Sequence, residues 1–326
     1  MRPFAYHRAT DLGDAVASLG AQATILAGGT TVVDLMKLEV MTPSTLLDIT
    51  GIAELTGFDT TGDPLRFGAL ARMADVARDP VLVTDYPALS GSLWQAASPQ
   101  LRNAATLAGN LLQRTRCYYF RDTSYPCNRR APGSGCAAQD GVNRMHAVLG
   151  GSEHCVATHP SDWAVALVAF DAVLHLHSAR GERTLPVGQL YRLPGDTPHL
   201  ETTLEADELI TAISVPATAA GHRSCYLKVR DRESYAFATA SAAVGLELDG
   251  GSVRAARIAL GGVATVPWRA RAAEAILVGQ PLSEDSARRA AEAAFEGARP
   301  LAHNGFKIEL GKRTVVEALM TAARKG

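Results

Sequence analysis

The sequence predicts an α+β protein of two or three domains, and three observations carry that reading. The chain has 326 residues, about twice the ~150 that one domain usually takes. Short apolar runs alternate with helical patterns through residues 1–56, the mark of an α/β layer. From residue 217 the order changes to a strand, a hairpin and three helical patterns. The division expected is 1–56, 57–216 and 217–326.

In the first unit Asp11 is placed to cap a helix over Leu12–Leu19, with Leu12, Val16 and Leu19 on one face. Ala23–Ala27 reads as a buried strand, Val32–Leu38 as a helix and Thr45–Ile49 as a strand. In the second, Leu65–Leu70 suggests a strand and Met73–Ala77 a helix. Tyr86–Ala97 repeats Leu89, Leu93 and Ala97 at helical spacing. Residues 114–158 have no period of 2 or 3.6, and so long an irregular stretch in a compact domain is usually functional or disordered. Ser161–Phe170 resumes as a helix, with Ala172–His177 and Leu209–Val215 as strands. In the third, Cys225–Arg230 is a strand and Asp249-Gly250-Gly251 turns a hairpin between Val244–Leu248 and Val253–Leu260. Pro267–Leu277, Ser283–Phe295 and Arg313–Ala323 read as helices, the first opened by Pro267 and the second capped by Ser283.

Composition removes several function classes. Hydrophobic residues make up 47% and charged residues 20%, which suits a buried core and not wholesale disorder. Lys and Arg total 32 against 33 Asp and Glu, so the basic excess that displaces phosphate counterions is missing and no nucleic-acid partner is expected. No apolar run reaches the ~18 residues of a membrane span. The N-terminal residues lack the apolar core of a signal peptide. The expected location is cytoplasmic, or periplasmic by co-export with a partner that bears a twin-arginine signal.

Four stretches carry chemistry. Leu26-Ala27-Gly28-Gly29-Thr30-Thr31-Val32-Val33-Asp34 runs from a strand through paired glycines into a helix. Glycine lets the backbone turn tightly with its N–H groups exposed, so this is either a pyrophosphate cradle or a plain tight turn capped by Thr30. Thr106-Leu107-Ala108-Gly109-Asn110 again surrounds a glycine with hydroxyl and amide donors. Asp162, in His159-Pro160-Ser161-Asp162-Trp163, either caps the following helix or accepts from ligand hydroxyls.

The fourth stretch holds four of the five cysteines, spaced Cys117-x9-Cys127-x8-Cys136-x18-Cys155. Four thiolates suit tetrahedral zinc or an iron–sulfur cluster. No short CxxC pair is present, and wide loops rich in glycine and proline are suited to wrapping a larger object such as a [4Fe–4S] cube. Arg114, Arg116, Arg121, Arg129, Arg130 and Arg144 face only Asp122 and Asp140 in residues 114–144, and this positive loop suits an anionic cluster. With few apolar anchors, the loop is expected to owe its order largely to metal. His146, His154 and His159 are read as surface or supporting residues. Cys225 is left free.

Together these pieces resemble the FAD-binding medium subunit of the molybdenum hydroxylases, the xanthine dehydrogenase and carbon monoxide dehydrogenase family. Ala27–Thr31 is similar to the family's first FAD loop. Ala105–Asn110 is similar to its second, with Ala108 where a glycine is usual. Pro160-Ser161-Asp162 resembles the step whose Asp lies near the flavin ribityl, and Lys228-Val229-Arg230 the segment near the flavin ring. The cysteine insertion resembles that of the flavoprotein subunit of periplasmic aldehyde oxidoreductase, where it holds an additional [4Fe–4S] cluster.

The resemblance implies a VAO/PCMH-like, two-lobed FAD-binding domain followed by an α+β C-terminal domain, with the flavin between the lobes and the C-terminal domain. It implies a small partner subunit with two [2Fe–2S] clusters and a large one with the molybdopterin cofactor, where the substrate is oxidised. This chain would pass electrons to an external acceptor. Lys228 would lie near the isoalloxazine or its tail, or else be a solvated strand lysine. The alternatives are a purine-type dehydrogenase subunit, a structural zinc scaffold and a stand-alone flavin oxidase; no catalytic residue is assigned.

Overall fold

The computed structural model describes residues 1–20 and 23–325. Its first lobe is a three-stranded parallel sheet, with Thr45–Asp48 between Ala5–Arg8 and Ala23–Leu26. Ala5–Arg8 gave no sequence signal because all four residues are exposed. Main-chain pairing holds it, together with the Tyr6 hydroxyl donating to Asp48. Helix Leu12–Ser18 starts as its cap dictates, with the Asp11 carboxylate accepting from Asp14 N, and buries Ala15 and Val16.

The second lobe is an antiparallel five-stranded sheet in the order Phe58–Asp59, Leu65–Gly68, Leu209–Val215, Val173–Ser178, Gly181–Pro186. Its core joins Phe67, Met73, Leu82, Leu89, Leu93, Trp163 and Phe170. Helix Asp162–Ala169 is buried at every position. A helix apolar all round must be covered on all sides. This one packs on helix Pro87–Trp94 and against strands Ala240–Asp249 and Ser252–Gly261. It therefore fixes its own N-terminus, and Asp162 with it, where the second lobe meets the C-terminal sheet.

That C-terminal sheet is antiparallel in the order Trp268–Arg269, Ser252–Gly261, Ala240–Asp249, Ser224–Val229. Helices Arg271–Leu277, Glu284–Ala294 and Phe306–Ala323 share its core. Pro267 does not open a helix: Trp268–Arg269 pairs with Leu260 and Ala259 as an edge strand, where a preceding proline costs no ladder bond. The last helix begins at Phe306, before the expected Arg313. Lys307 hides its start in the sequence, since it is fully buried, with Nζ donating to the carbonyls of Met145, His146 and Gly262.

Residues 114–158 are irregular apart from the turn of helix Tyr118–Arg121. The expectation of few apolar anchors is corrected, because Phe120, Ala138, Ala147, Val148, Leu149, Val156 and Ala157 are all buried. Val148 and Leu149 N–H groups donate to Val263 O, and Asn143 Oδ1 accepts from His303 N at 2.9 Å. The longest continuous exposed runs here are residues 122–126 and 131–134. Among the described residues no helix is long and apolar enough to cross a membrane.

Candidate functional site

The strand Ala23–Leu26 delivers the chain into Gly28–Thr31, and helix Val32–Lys37 leaves it. Gly29 takes φ +71°, the left-handed region that glycine enters without penalty. Gly28 is required for a different reason: a Cβ there would collide with Ala104 O and lie 2.9 Å from Ala105 Cα. The loop of the first lobe is thus pressed against the backbone that leads into Thr106. Thr31 makes no side-chain cap, and among the described residues the N–H groups of Gly29, Thr30, Thr31 and Val32 have no protein acceptor. Unsatisfied amides in a tight turn favour an anionic partner.

Thr106 continues this surface. Its Oγ1 is buried with no hydrogen-bond partner, and a cleft of about 160 Å3 beside it is lined by Thr50, Leu70, Arg72 and Asp75. Leu107 and Ala108 N–H groups are spent on Ala71 O and Ala69 O, both at 3.0 Å, so they fix the loop. The Thr106 hydroxyl is left as a buried donor without a partner, and an orphaned buried hydroxyl beside free amides fits a phosphate-bearing group.

Asn110 links this loop to the next segment, its Oδ1 accepting from Ser161 Oγ at 2.6 Å. Ser161 is the helix cap, accepting from Ala164 N at 3.1 Å. Asp162 is therefore free of capping. Its Oδ1 accepts from the Tyr226 hydroxyl at 2.5 Å and its Oδ2 from Lys228 Nζ at 2.8 Å. The Lys228 side chain is fully buried and also donates to Gln95 O at 3.1 Å, which corrects the solvated-lysine alternative. Burial pushes the Asp162 carboxyl up, and Lys228 and Tyr226 pull it back. The segments 26–34, 106–110, 162 and 228 are thus linked by one run of contacts, through Gly28 on Ala104, Asn110 on Ser161 and Asp162 on Lys228.

Cys117, Cys127, Cys136 and Cys155 all line one pocket, with Phe120, Asn128, Arg129 and His154 among its walls. Cys127 and Cys136 face each other across an antiparallel bridge, held by Asn128, whose N–H donates to Gly135 O and whose Oδ1 accepts from Gly135 N. All four thiols are free. Burial pushes Cys117 up to about 12 and raises Cys136. Thiols so placed ionise readily only beside a strong positive charge, such as a bound metal. Among the described residues no three His, Cys, Asp or Glu side chains are grouped to hold a single metal ion. The four cysteines are thus brought to one pocket from four separate stretches of the insertion, a donor set that could serve a metal centre. Cys225 lies elsewhere, buried in the C-terminal core.

Tyr226 and Glu201 carried no sequence signal of their own. Tyr226 was legible only as the residue two before Lys228, which a strand turns to the same face. His146 is buried, with Nε2 3.1 Å from Cys117 Sγ. His154 lies at the surface beside Asp196, and His159 packs edge-on against Tyr191. Arg129 is buried, 2.8 Å from Glu201, and donates to Cys155 Sγ at 3.7 Å. Burial opposes its charge, but Glu201 and Cys155 hold its pKa above the usual range. Asp34 is engaged by Arg121 and Arg116 of the insertion.

Known proteins match this chain over nearly its whole length. Residues 2–218 match the family described as FAD binding domain in molybdopterin dehydrogenase. Residues 225–322 match that described as CO dehydrogenase flavoprotein C-terminal domain. The chain is 47% identical to the aldehyde oxidoreductase FAD-binding subunit PaoB of Escherichia coli (strain K12), over 99% of each chain. It is 28% identical to the carbon monoxide dehydrogenase medium chain of Hydrogenophaga pseudoflava, over 91% of this chain and 88% of that one. A solved carbon monoxide dehydrogenase from the same organism superposes with a TM-score of 0.78 at 29% identity, covering 99% of this chain and 98% of the other. The chain belongs to the molybdenum hydroxylase family as its FAD-binding medium subunit, one part of a molybdenum-dependent oxidoreductase complex.

Proposed function

We propose that this subunit carries FAD and one [4Fe–4S] cluster and passes electrons from an aldehyde-oxidising molybdenum site to an external acceptor. The observation that carries this reading is the position of the cysteine pocket. Its walls, Phe120 and Cys127, pack on Leu35 of the helix that leaves the glycine loop. A one-electron centre held there lies against the element that grips the flavin. The 47% identity with an aldehyde oxidoreductase subunit supports the substrate class. The family's small subunit with two [2Fe–2S] clusters and large molybdopterin subunit are the partners.

In this reading Gly28–Thr31 and Thr106–Asn110 hold the FAD pyrophosphate by backbone amides and the Thr106 hydroxyl. Asp162 and Lys228 set the charge at the junction with the C-terminal sheet. Cys117, Cys127, Cys136 and Cys155 ligate the cluster. FAD, when bound, lets one-electron and two-electron chemistry meet, while the cluster moves single electrons. In the assembled complex, anaerobic addition of an aldehyde is expected to bleach the flavin and cluster absorption together. A complex reduced by purines and inert to aldehydes would instead be of the xanthine type.

Two further results are expected. Serine at any one of the four cysteines should abolish iron binding and open residues 122–126 and 131–134 to protease, while Cys225→Ser keeps full iron. Loss of iron from Cys225→Ser alone would overturn the ligand set. Arg129→Gln should lower the cluster's potential by on the order of 100 mV, the worth of one charge-assisted hydrogen bond to a one-electron centre. Glu201→Gln, which strips the partner from that cation, should raise it. Redox titration followed by electron paramagnetic resonance reads both, and shifts of the same sign would contradict the argument.

A further inference from the structure

We infer that Arg116 and Arg121 are positioning residues for the flavin loop, so that flavin affinity depends on the occupied cysteine centre. The inference rests on the reading of the four cysteines as cluster ligands. It starts from helix Val32–Lys37, which has six residues and is too short to hold itself. Its Leu35 is buried against Phe120 and Cys127, with Cys117 beside them.

Its Asp34 is gripped in fork geometry, Arg121 Nη1 lying 2.8 Å from Oδ2 and Nη2 3.0 Å from Oδ1. Arg116 Nη1 adds a third contact to Oδ2 at 3.2 Å. Both arginines are tied to the main chain of one cysteine. Arg116 precedes Cys117 in the chain, and Arg121 N donates to Cys117 O at 3.1 Å to close the turn. Arg116 also lies over the Phe237 ring of the C-terminal domain, 5.2 Å from its centroid. Fixing Cys117 on a cluster therefore fixes both guanidinium groups, which hold Asp34, which holds the helix continuous with Gly28–Thr31. Bidentate pairs of this kind add geometry as well as energy. The coupling is reciprocal, so bound flavin must stabilise the cysteine segment by the same factor.

The test is FAD titration into the flavin-stripped full chain, read by flavin fluorescence, with iron and acid-labile sulfide measured on each sample. Arg121→Gln with its iron retained, and Cys127→Ser without iron, should each bind FAD about tenfold more weakly than the parent. Asp34→Asn, which changes no residue of the cysteine segment, should match Arg121→Gln and keeps the test readable if that variant loses iron. Asp34→Asn combined with Cys127→Ser should be no weaker than Cys127→Ser alone. Parental affinity in Asp34→Asn, or fully multiplicative losses in the double variant, would overturn the coupling. A parent chain without iron and sulfide would overturn the cluster reading instead.

Discussion

Gly28→Val is expected to purify without flavin and with stability lowered by on the order of 3 kcal/mol. The cost comes from backbone, which cannot swing aside. A side chain at Gly28 meets Ala104 O and Ala105 Cα, and the same Ala104 carbonyl accepts from the Arg72 guanidinium. Moving Ala104 drags Thr106 with it, because Met73 N bonds Ala105 O and Leu107 N bonds Ala71 O. Gly29→Ala is the control. The nearest neighbours of a Cβ there are Leu26 Cδ1 at 3.4 Å and Val33 Cγ2 at 3.5 Å, so only the left-handed backbone is penalised, by about 1 kcal/mol. Urea denaturation and flavin content of the two variants check the ranking. Flavin-replete Gly28→Val would remove this loop from the binding site.

Lys228→Met should lose roughly 3–5 kcal/mol, the cost of leaving one member of a buried pair alone. The sign of its pH dependence follows from Asp162. Burial raises that carboxyl in the folded protein above its unfolded value. The stability it contributes is therefore full below the unfolded pKa of ~3.9 and is lost as pH rises through the folded value. Removing Lys228 takes away a group that lowers the folded value, so the losing range widens upward. The stability gap between parent and variant should therefore grow as pH rises above the unfolded carboxyl value. Adding Asp162→Asn to Lys228→Met should recover most of the loss, since no buried charge then stands unpaired. A gap independent of pH would show that Asp162 is not the group left exposed to the change.

Local periodicity and caps made much of the fold legible. Leu209–Val215 and Met73–Ala77 run as read, and Ser283 caps its helix with a capping box through Ser286. What escaped is what local pattern does not encode. Ala5–Arg8 and Gly181–Pro186 are edge strands with almost no buried face, ordered by main-chain pairing, the first to Thr45–Asp48 far along the chain and the second to Val173–Ser178 in a hairpin. In the site, the glycine loops and cysteines were readable because their chemistry needs rare residue types at close intervals. The ion pairs of Asp34 were not, since its arginine partners lie more than eighty residues away. Nor was the burial of Lys228, which depends on Asp162 and Gln95 arriving from other segments.

Cofactor analysis of the purified full chain decides whether both centres are present. It is expected to give one noncovalent FAD, four iron and four acid-labile sulfide per chain, with flavin released intact by denaturation. Stoichiometric zinc with no sulfide, at Cys117, Cys127, Cys136 and Cys155, would contradict this expectation.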